Sequence, residues 1–249
     1  MRNCVIRQRG HSGEATSPQS IFCMILPSEI QAIVDDNLVA VKALLEADRE
    51  FATRRFETPA LHRFKIFHWI YVGDIALHLA AAGHRAAIVQ LLLTAGADPN
   101  SAHNHRRSTP LHYAADGFIT GPAWDGKRQV ETLRCLLKGG AEIEAQDLNG
   151  ATALHRAVRT RCAEAVEFLL TAGSNPKAGN KSGSTPFHLA VQNTGRGGSG
   201  APEAIRAQRQ IIESFLTRGL SPDLENGPGK SVADCAGTEW VRQLLASAS

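Results

Sequence analysis

The chain has 249 residues, 43% of them hydrophobic and 20% charged, with a formal net charge of +3. These values fit one or two soluble folded domains, and aromatics at 6% beside abundant Ala and Leu favour helices over a β-sandwich. So small a charge, part of it from Arg2, Arg7 and Arg9, makes no electrostatic case for nucleic acid. Five widely spaced cysteines without a C-x-x-C argue against a disulfide framework or zinc site and fit a reducing, cytoplasmic setting.

In chain order, residues 1–24 show no periodicity and are expected to form a disordered tail. Their longest apolar run, "IFCMIL", is too short to span a membrane or serve as a signal-peptide core, so no membrane partner is expected. The folded unit is expected over 25–249. It opens with a capping helix pair at about 27–56, in "SEIQAIVDDNLVAVKALLEAD". An aromatic connecting segment, 57–72, follows. The alternation of Phe64, Ile66 and His68 against Phe67, Trp69 and Tyr71 predicts an extended, partly buried stretch. It either plugs the end of a groove or joins a binding surface. His62 and His68 of this stretch, with His78 and His84, are the one assembly from which a metal site could be drawn. H-E-x-x-H is absent, and no Cys or carboxylate stands at ligand spacing.

Four lines then align: "GDIALHLAAAGH", "RSTPLHYAAD", "GATALHRAVRTRC" and "GSTPFHLAVQN". They place His78, His112, His155 and His188 at intervals of 34, 43 and 33, within repeats at about 73–105, 106–148, 149–181 and 182–226. Each line is followed by an apolar helix ended by a glycine: Gly96, Gly140, Gly173 and Gly219. Thr109, Thr152 and Thr185 stand at helix N-caps, where a hydroxyl accepts an orphan amide; Pro110 and Pro186 take the first helical position. In the first line Ile75 replaces Thr. Either Asp74 takes over the cap, or that junction is weaker by about 1 kcal/mol. The second and fourth repeats carry insertions at 116–128 and 193–208 in the turn between their helices. Residues 227–249 read as a C-terminal cap with Ser231 in place of Thr and Asp234 in place of His.

The lines "STPLHYAA", "TALHRAV" and "STPFHLAV" resemble the ankyrin repeat, and the resemblance covers about residues 26 to 249. It implies an all-α solenoid of stacked helix-turn-helix pairs joined by β-hairpin-like fingers, about six helix pairs counting atypical ends. It further implies that the motif histidines bond backbone of the neighbouring hairpin. His84 after Gly83 would then be the helix-ending histidine, and Cys162 its counterpart. The function implied is protein–protein recognition through concave face, finger tips and inter-helix insertions, without catalysis and without a cofactor.

Other motifs fall away. "GPGKS" (227–231) has Leu224 where a phosphate-binding loop needs glycine, "GRGGSG" (195–200) reads as a linker, and G-x-S-x-G is absent. The candidate partner contacts are His105, Arg106 and Arg107 in one finger, Asn149 in the next, acidic one, and Lys181 in a third, basic one. This alternation interrupts any stripe for nucleic acid, so the expected partner is another protein met by a monomer. Phe118 and Trp124 lie in the first insertion. Aromatics there are candidate anchors, although Trp124 could instead fold back over its own repeat. A regulatory subunit or inhibitor of a partner enzyme is the alternative function.

Overall fold

The computed structural model describes residues 28–57, 60–62, 66, 68–121, 124–193 and 200–247; for 60–62 only the backbone is described. The expected tail, Phe64, Phe67 and the His62 side chain therefore lie outside the described residues. Five helix pairs follow one another: α1 Ser28–Val34 and α2 Leu38–Ala47, α3 Ala76–Ala82 and α4 Ala86–Thr94, α5 Pro110–Ala115 and α6 Gly126–Lys138, α7 Ala153–Arg159 and α8 Ala163–Thr171, α9 Pro186–Ala190 and α10 Pro202–Thr217. A final helix, α11, spans Glu239–Ala246. The first helices pack in sequence on one another (α1, α3, α5, α7, α9), and so do the second helices (α2, α4, α6, α8, α10), giving an inner and an outer layer. The expected sixth pair differs: its inner member is only a turn at 232–235 before α11.

Inner helices of five to seven residues are too short to hold alone in water and exist by packing. Leu77, Leu111, Leu154 and Phe187 from successive lines are wholly or almost wholly buried. They meet Ile88, Leu92, Leu133, Leu136, Val166, Leu169, Ile211 and Phe215 of the outer layer.

The motif histidines join one repeat to the next by a common geometry. Nδ1 of His78, His112, His155 and His188 accepts the backbone N–H of the residue three before it, at 3.1–3.4 Å. That fixes the proton on Nε2, which donates to Ser108 O at 3.1 Å, Ala151 O at 2.8 Å, Ser184 O at 3.1 Å and Lys230 O at 3.2 Å, always in the following finger. The threonines take the expected N-cap positions of α5, α7 and α9. Thr109 and Thr152 Oγ1 also lie 2.8 and 3.0 Å from the histidine Nδ1. Thr185 does likewise, and accepts from His188 N at 3.5 Å. Asp74 does not cap α3. Its carboxylate accepts from Tyr71 N, Asn104 Nδ2 and Tyr113 Oη at 2.6–2.7 Å. In the last unit Ser231 and Asp234 bond each other's backbone amides, a closed box without a forward donor.

The insertions end in helix: α6 and α10 have 13 and 16 residues where α4 and α8 have 9. At the turn of repeat one, His84, with φ +54°, sends Nε2 to Ala114 O of repeat two at 3.1 Å; in repeat three its counterpart is Arg161, not the expected Cys162: Arg161, φ +63°, donates to Ala190 O at 3.1 Å. The lengthened turns supply a further donor. Gln129 donates to Ala114 O and Ala115 O, and Gln208 to Ala190 O and Gln192 O, at 2.7–3.3 Å. Both glutamines are buried, and both keep the distance to the helix-ending glycine that Arg85 and Cys162 keep in the regular repeats. They satisfy the last carbonyls of the inner helices, which have no partner within the helix.

Two outcomes test this account. His112→Ala, which removes a buried bridge of two hydrogen bonds, is expected to lower unfolding free energy by about 1–3 kcal/mol in denaturant melts. The second is a pH dependence. Burial lowers the imidazoles of His84 and His112 to about 4, with Arg156 adding to the effect at His112. It also lowers those of His78, His155 and His188. Histidines held neutral in the fold but free to protonate near 6.5 when unfolded contribute stability that is complete above that value and lost as pH falls toward about 4. The melting temperature should therefore drop by on the order of 10 °C across this window. A flat profile down to pH 4 would contradict neutral bridging histidines.

Candidate partner-binding surface

Each regular finger is a turn organised by one side chain. Oδ1 of Asn104 accepts from Arg106 N and Ser108 N, that of Asp147 from Asn149 N and Ala151 N, and that of Asn180 from Ser182 N and Ser184 N; Asn226 holds Lys230 N. These side chains recur at one offset before Thr109, Thr152, Thr185 and Ser231, a signal present in the sequence but missed by reading from the histidine forward. The tips are laced by backbone: Leu148 N donates to Arg106 O at 2.7 Å, Lys181 N to Asn149 O at 3.0 Å and Gly227 N to Gly183 O at 3.2 Å.

The turn requires a left-handed residue two before the motif position. Gly73, Gly150, Gly183 and Gly229 supply it with φ of 72° to 91°, but in the second finger the place belongs to Arg107, at φ +51°. Arg107 is exposed, as are Asn149 and Lys181. Its neighbours are engaged: His105 meets the Tyr71 ring edge-on at 4.7 Å, and Arg106 lies over that ring and donates to its hydroxyl at 3.1 Å. Val72 (51% exposed) and Leu148 (43%) flank this basic tip. The sequence-predicted finger residues thus share one ridge.

The concave side is covered at α3 and α5. The aromatic segment forms a hairpin, β1 Ala60–His62 paired antiparallel with β2 His68–Ile70. It leaves its base at Phe56 and Asp74, which exchange a backbone bond, and lies along the inner helices. The His68 ring stacks on Tyr113 of α5 with centroids 4.2 Å apart, and Nε2 stands 3.2 Å from Asp116 Oδ2 at the far end of that helix. A Cβ on Gly83 would meet Ile66. Ile66, His68 and Ile70 are buried, and Trp69 faces outward, 44% exposed.

Beneath the hairpin is an ionic cluster. Arg156 Nη1 donates to Asp116 Oδ2 at 2.8 Å, and Nη2 to Asp147 Oδ2 and Ser108 Oγ, both at 2.8 Å. All three charged side chains are buried. Burial alone would raise the Asp116 carboxyl, but Arg156, joined by His68 and Arg159, outweighs it and holds that carboxyl well below the usual carboxylate range. Asp147 is lowered by Arg156 in the same way against its own burial. These residues come from the second finger, the second repeat, the third finger and the third repeat. A single charged cluster therefore fixes their register.

In the first insertion, Phe118 is 36% exposed. Trp124 is half-buried: its indole meets His84 edge-on at 5.6 Å and packs over Gly117, where a Cβ would strike both it and Cys162. Of the two roles open to Trp124, its position is that of a cover on its own turn. Burial pushes the Cys162 thiol up to about 12, which makes it inert packing. The histidines that could have gathered a metal diverge instead, His68 to Asp116, His78 to Ser108 and His84 to Ala114. Among the described residues no three metal-ligating side chains come together. Nor is any described helix long and apolar enough to cross a membrane.

This stack of paired helices, bridged by motif histidines and laced at the finger tips, is what an ankyrin array is built from. The family profile "Ankyrin repeats (3 copies)" matches residues 123–226, and the profile "Ankyrin repeat" matches 72–104, together more than half of the chain. The chain belongs to the ankyrin repeat family. Among curated proteins, human B-cell lymphoma 3 protein is 32% identical over 168 residues, 61% of this chain and 34% of that protein. Mouse NF-kappa-B inhibitor delta is 36% identical over 88 residues, 34% of this chain and 24% of that one. Alpha-latrotoxin-Lt1a of Latrodectus tredecimguttatus is 37% identical over 89 residues, 35% of this chain but 6% of the toxin. The chain thus spans about a third or less of the curated relatives it matches.

The cluster makes a sharp prediction. Arg156→Met leaves two buried carboxylates without their cation and is expected to cost about 3–5 kcal/mol by denaturant unfolding. A loss below 1 kcal/mol would mean that the carboxylates find water.

Proposed function

We propose that this chain is a non-enzymatic protein-recognition module that takes its partner on the finger-tip ridge, with Phe118 of the insertion, beyond the opposite end of α5, as a further contact. The observation that carries this is Arg107. Four fingers use glycine where the turn needs a positive φ; one accepts an exposed arginine there, in a conformation that costs an L-residue about 1 kcal/mol. Strain kept at a solvent-facing charge has a use outside the fold. Beside it Val72 and Leu148 present aliphatic surface, and Asn149 and Lys181 extend the ridge. We assign the partner to proteins rather than to nucleic acid, since acidic residues such as Glu142, Glu144 and Glu225 break up the basic surface. The module needs no cofactor or metal and acts as a monomer in the cytoplasm.

Relatives as unlike in name as a lymphoma protein, an inhibitor and a spider toxin share the repeat rather than a partner, so recognition is the part carried over. The name of the mouse relative favours one narrower reading, in which this chain restrains the protein it binds.

Capture from cell extract tests the ridge. The double variant Arg107→Glu, Leu148→Asp is expected to lose the captured partner at least about tenfold while melting as the parent does. Arg107→Gly should raise stability by about 0.5–1 kcal/mol and weaken capture. Retention of the same partner by the double variant would remove the finger tips from the binding surface. Trp124→Ala should lower the melting temperature and leave capture intact.

A further inference from the structure

The hairpin strand lies on the concave face as a bound segment would, with Ile66 and Ile70 seated in the core beneath it. We propose that the groove floored by Tyr113, Asp116 and Arg156 is a binding site for an extended segment, and that β2 of this chain is its resident occupant. The partner segment it fits has aliphatic side chains at alternate positions and an imidazolium, lysine or arginine between them.

Four observations support this. First, the contact follows a strand's two-residue period: Ile66, His68 and Ile70 face inward and are buried, and Trp69 faces out. Second, the polar groups of the floor keep partners without the strand. Asp116 Oδ2 is held by Arg156 at 2.8 Å and Oδ1 by Arg159 at 3.5 Å; the Tyr113 hydroxyl is held by Asp74 at 2.6 Å. Lifting His68 away therefore leaves no buried charge without a partner. Third, the strand's backbone pairing is slight. Its sheet consists of two strands with three paired residues, too little to stand by itself. Fourth, the charge is unbalanced toward a cation. Asp74, Asp116 and Asp147 are all buried, against the single buried guanidinium of Arg156 among these groups, with Arg159 at the rim. His68 answers that imbalance: Nε2 points to the Asp116 carboxylate and Nδ1 lies 2.6 Å from Trp69 O, so both ring nitrogens face acceptors. The Tyr113 face below adds attraction for a cation.

This inference rests on the reading that the chain binds proteins and adds a second site to it. A tethered occupant competes at an effective concentration in the millimolar range, so a segment arriving from another molecule must beat it or be matched to a moment when it lifts.

The test uses a chain in which residues 59–71 are replaced by Asn-Gly, which closes the finger as a two-residue hairpin. The probe is a fluorescein-labelled peptide of residues 60–72 of this sequence, read by anisotropy. The shortened chain should keep its helical content and bind the probe at least about tenfold more tightly than the intact chain does. A His68→Lys probe should bind comparably, and a His68→Glu probe should not bind. In the intact chain His68→Ala should loosen the resident strand and raise probe binding. A shortened chain that fails to fold overturns the proposal, because the floor is then not self-sufficient. Equal binding of the lysine and glutamate probes overturns it too, as does a folded shortened chain that ignores the probe. Finger-tip capture is read in the intact chain, because the shortened one lacks Tyr71 beneath His105 and Arg106; failure here then leaves finger-tip capture standing, and failure there leaves the groove standing.

Discussion

Everything in this stack depends on one neutral imidazole used twice. In each motif histidine one ring nitrogen accepts from its own helix start and the other donates forward to the next finger. A lysine could not accept and an aspartate could not donate; an imidazole does both, provided that it stays uncharged. Burial supplies that condition, and the same burial makes the bridge worth having, since a hydrogen bond gains strength where water is absent. The short inner helices, individually unstable, are thereby coupled in series. The last unit shows the rule from the other side: with Asp234 at the histidine's place, the box closes on itself and reaches no further.

Much of this was legible in the sequence because the repeat writes it several times. The histidines, the helix-ending glycines and the placement of insertions all follow from a period, and a period is robust to a single misread residue. What was not legible is what occurs once. The cluster of Asp116, Arg156 and Asp147 joins residues from different repeats and has no local spacing. Asp74 looked like a cap because it sits beside a helix start, whereas its carboxylate is claimed by Tyr113 and Asn104 from the next repeat. The aromatic segment showed its alternation plainly. Its destination, the concave face, depended on Gly83, Tyr113 and Asp116 offering space, a flat ring and a charge in the right order. Arg107 was legible as a candidate contact, but not its left-handed backbone, which shows only when its place in the finger is matched to the glycines of the others.

The finger side and the concave side divide the work. The finger tips, bonded backbone to backbone, form a ridge whose spacing is fixed by the stack, and their variable side chains can be changed at small cost to it. The concave side carries buried charge, where a change in one partner strands another. Side chains on the ridge are free to vary, and those in the groove are constrained by the electrostatics that hold two repeats in register.

Gln129 and Gln208 have a consequence of their own. By satisfying the inner-helix carbonyls from the outer helix, they relieve the intervening turn of that one duty. Length added in that turn leaves the helix end satisfied, since its carbonyls are held from the outer helix. The two positions are natural grafting points, where a foreign loop could be spliced into the array and displayed from a rigid frame without renegotiating the core.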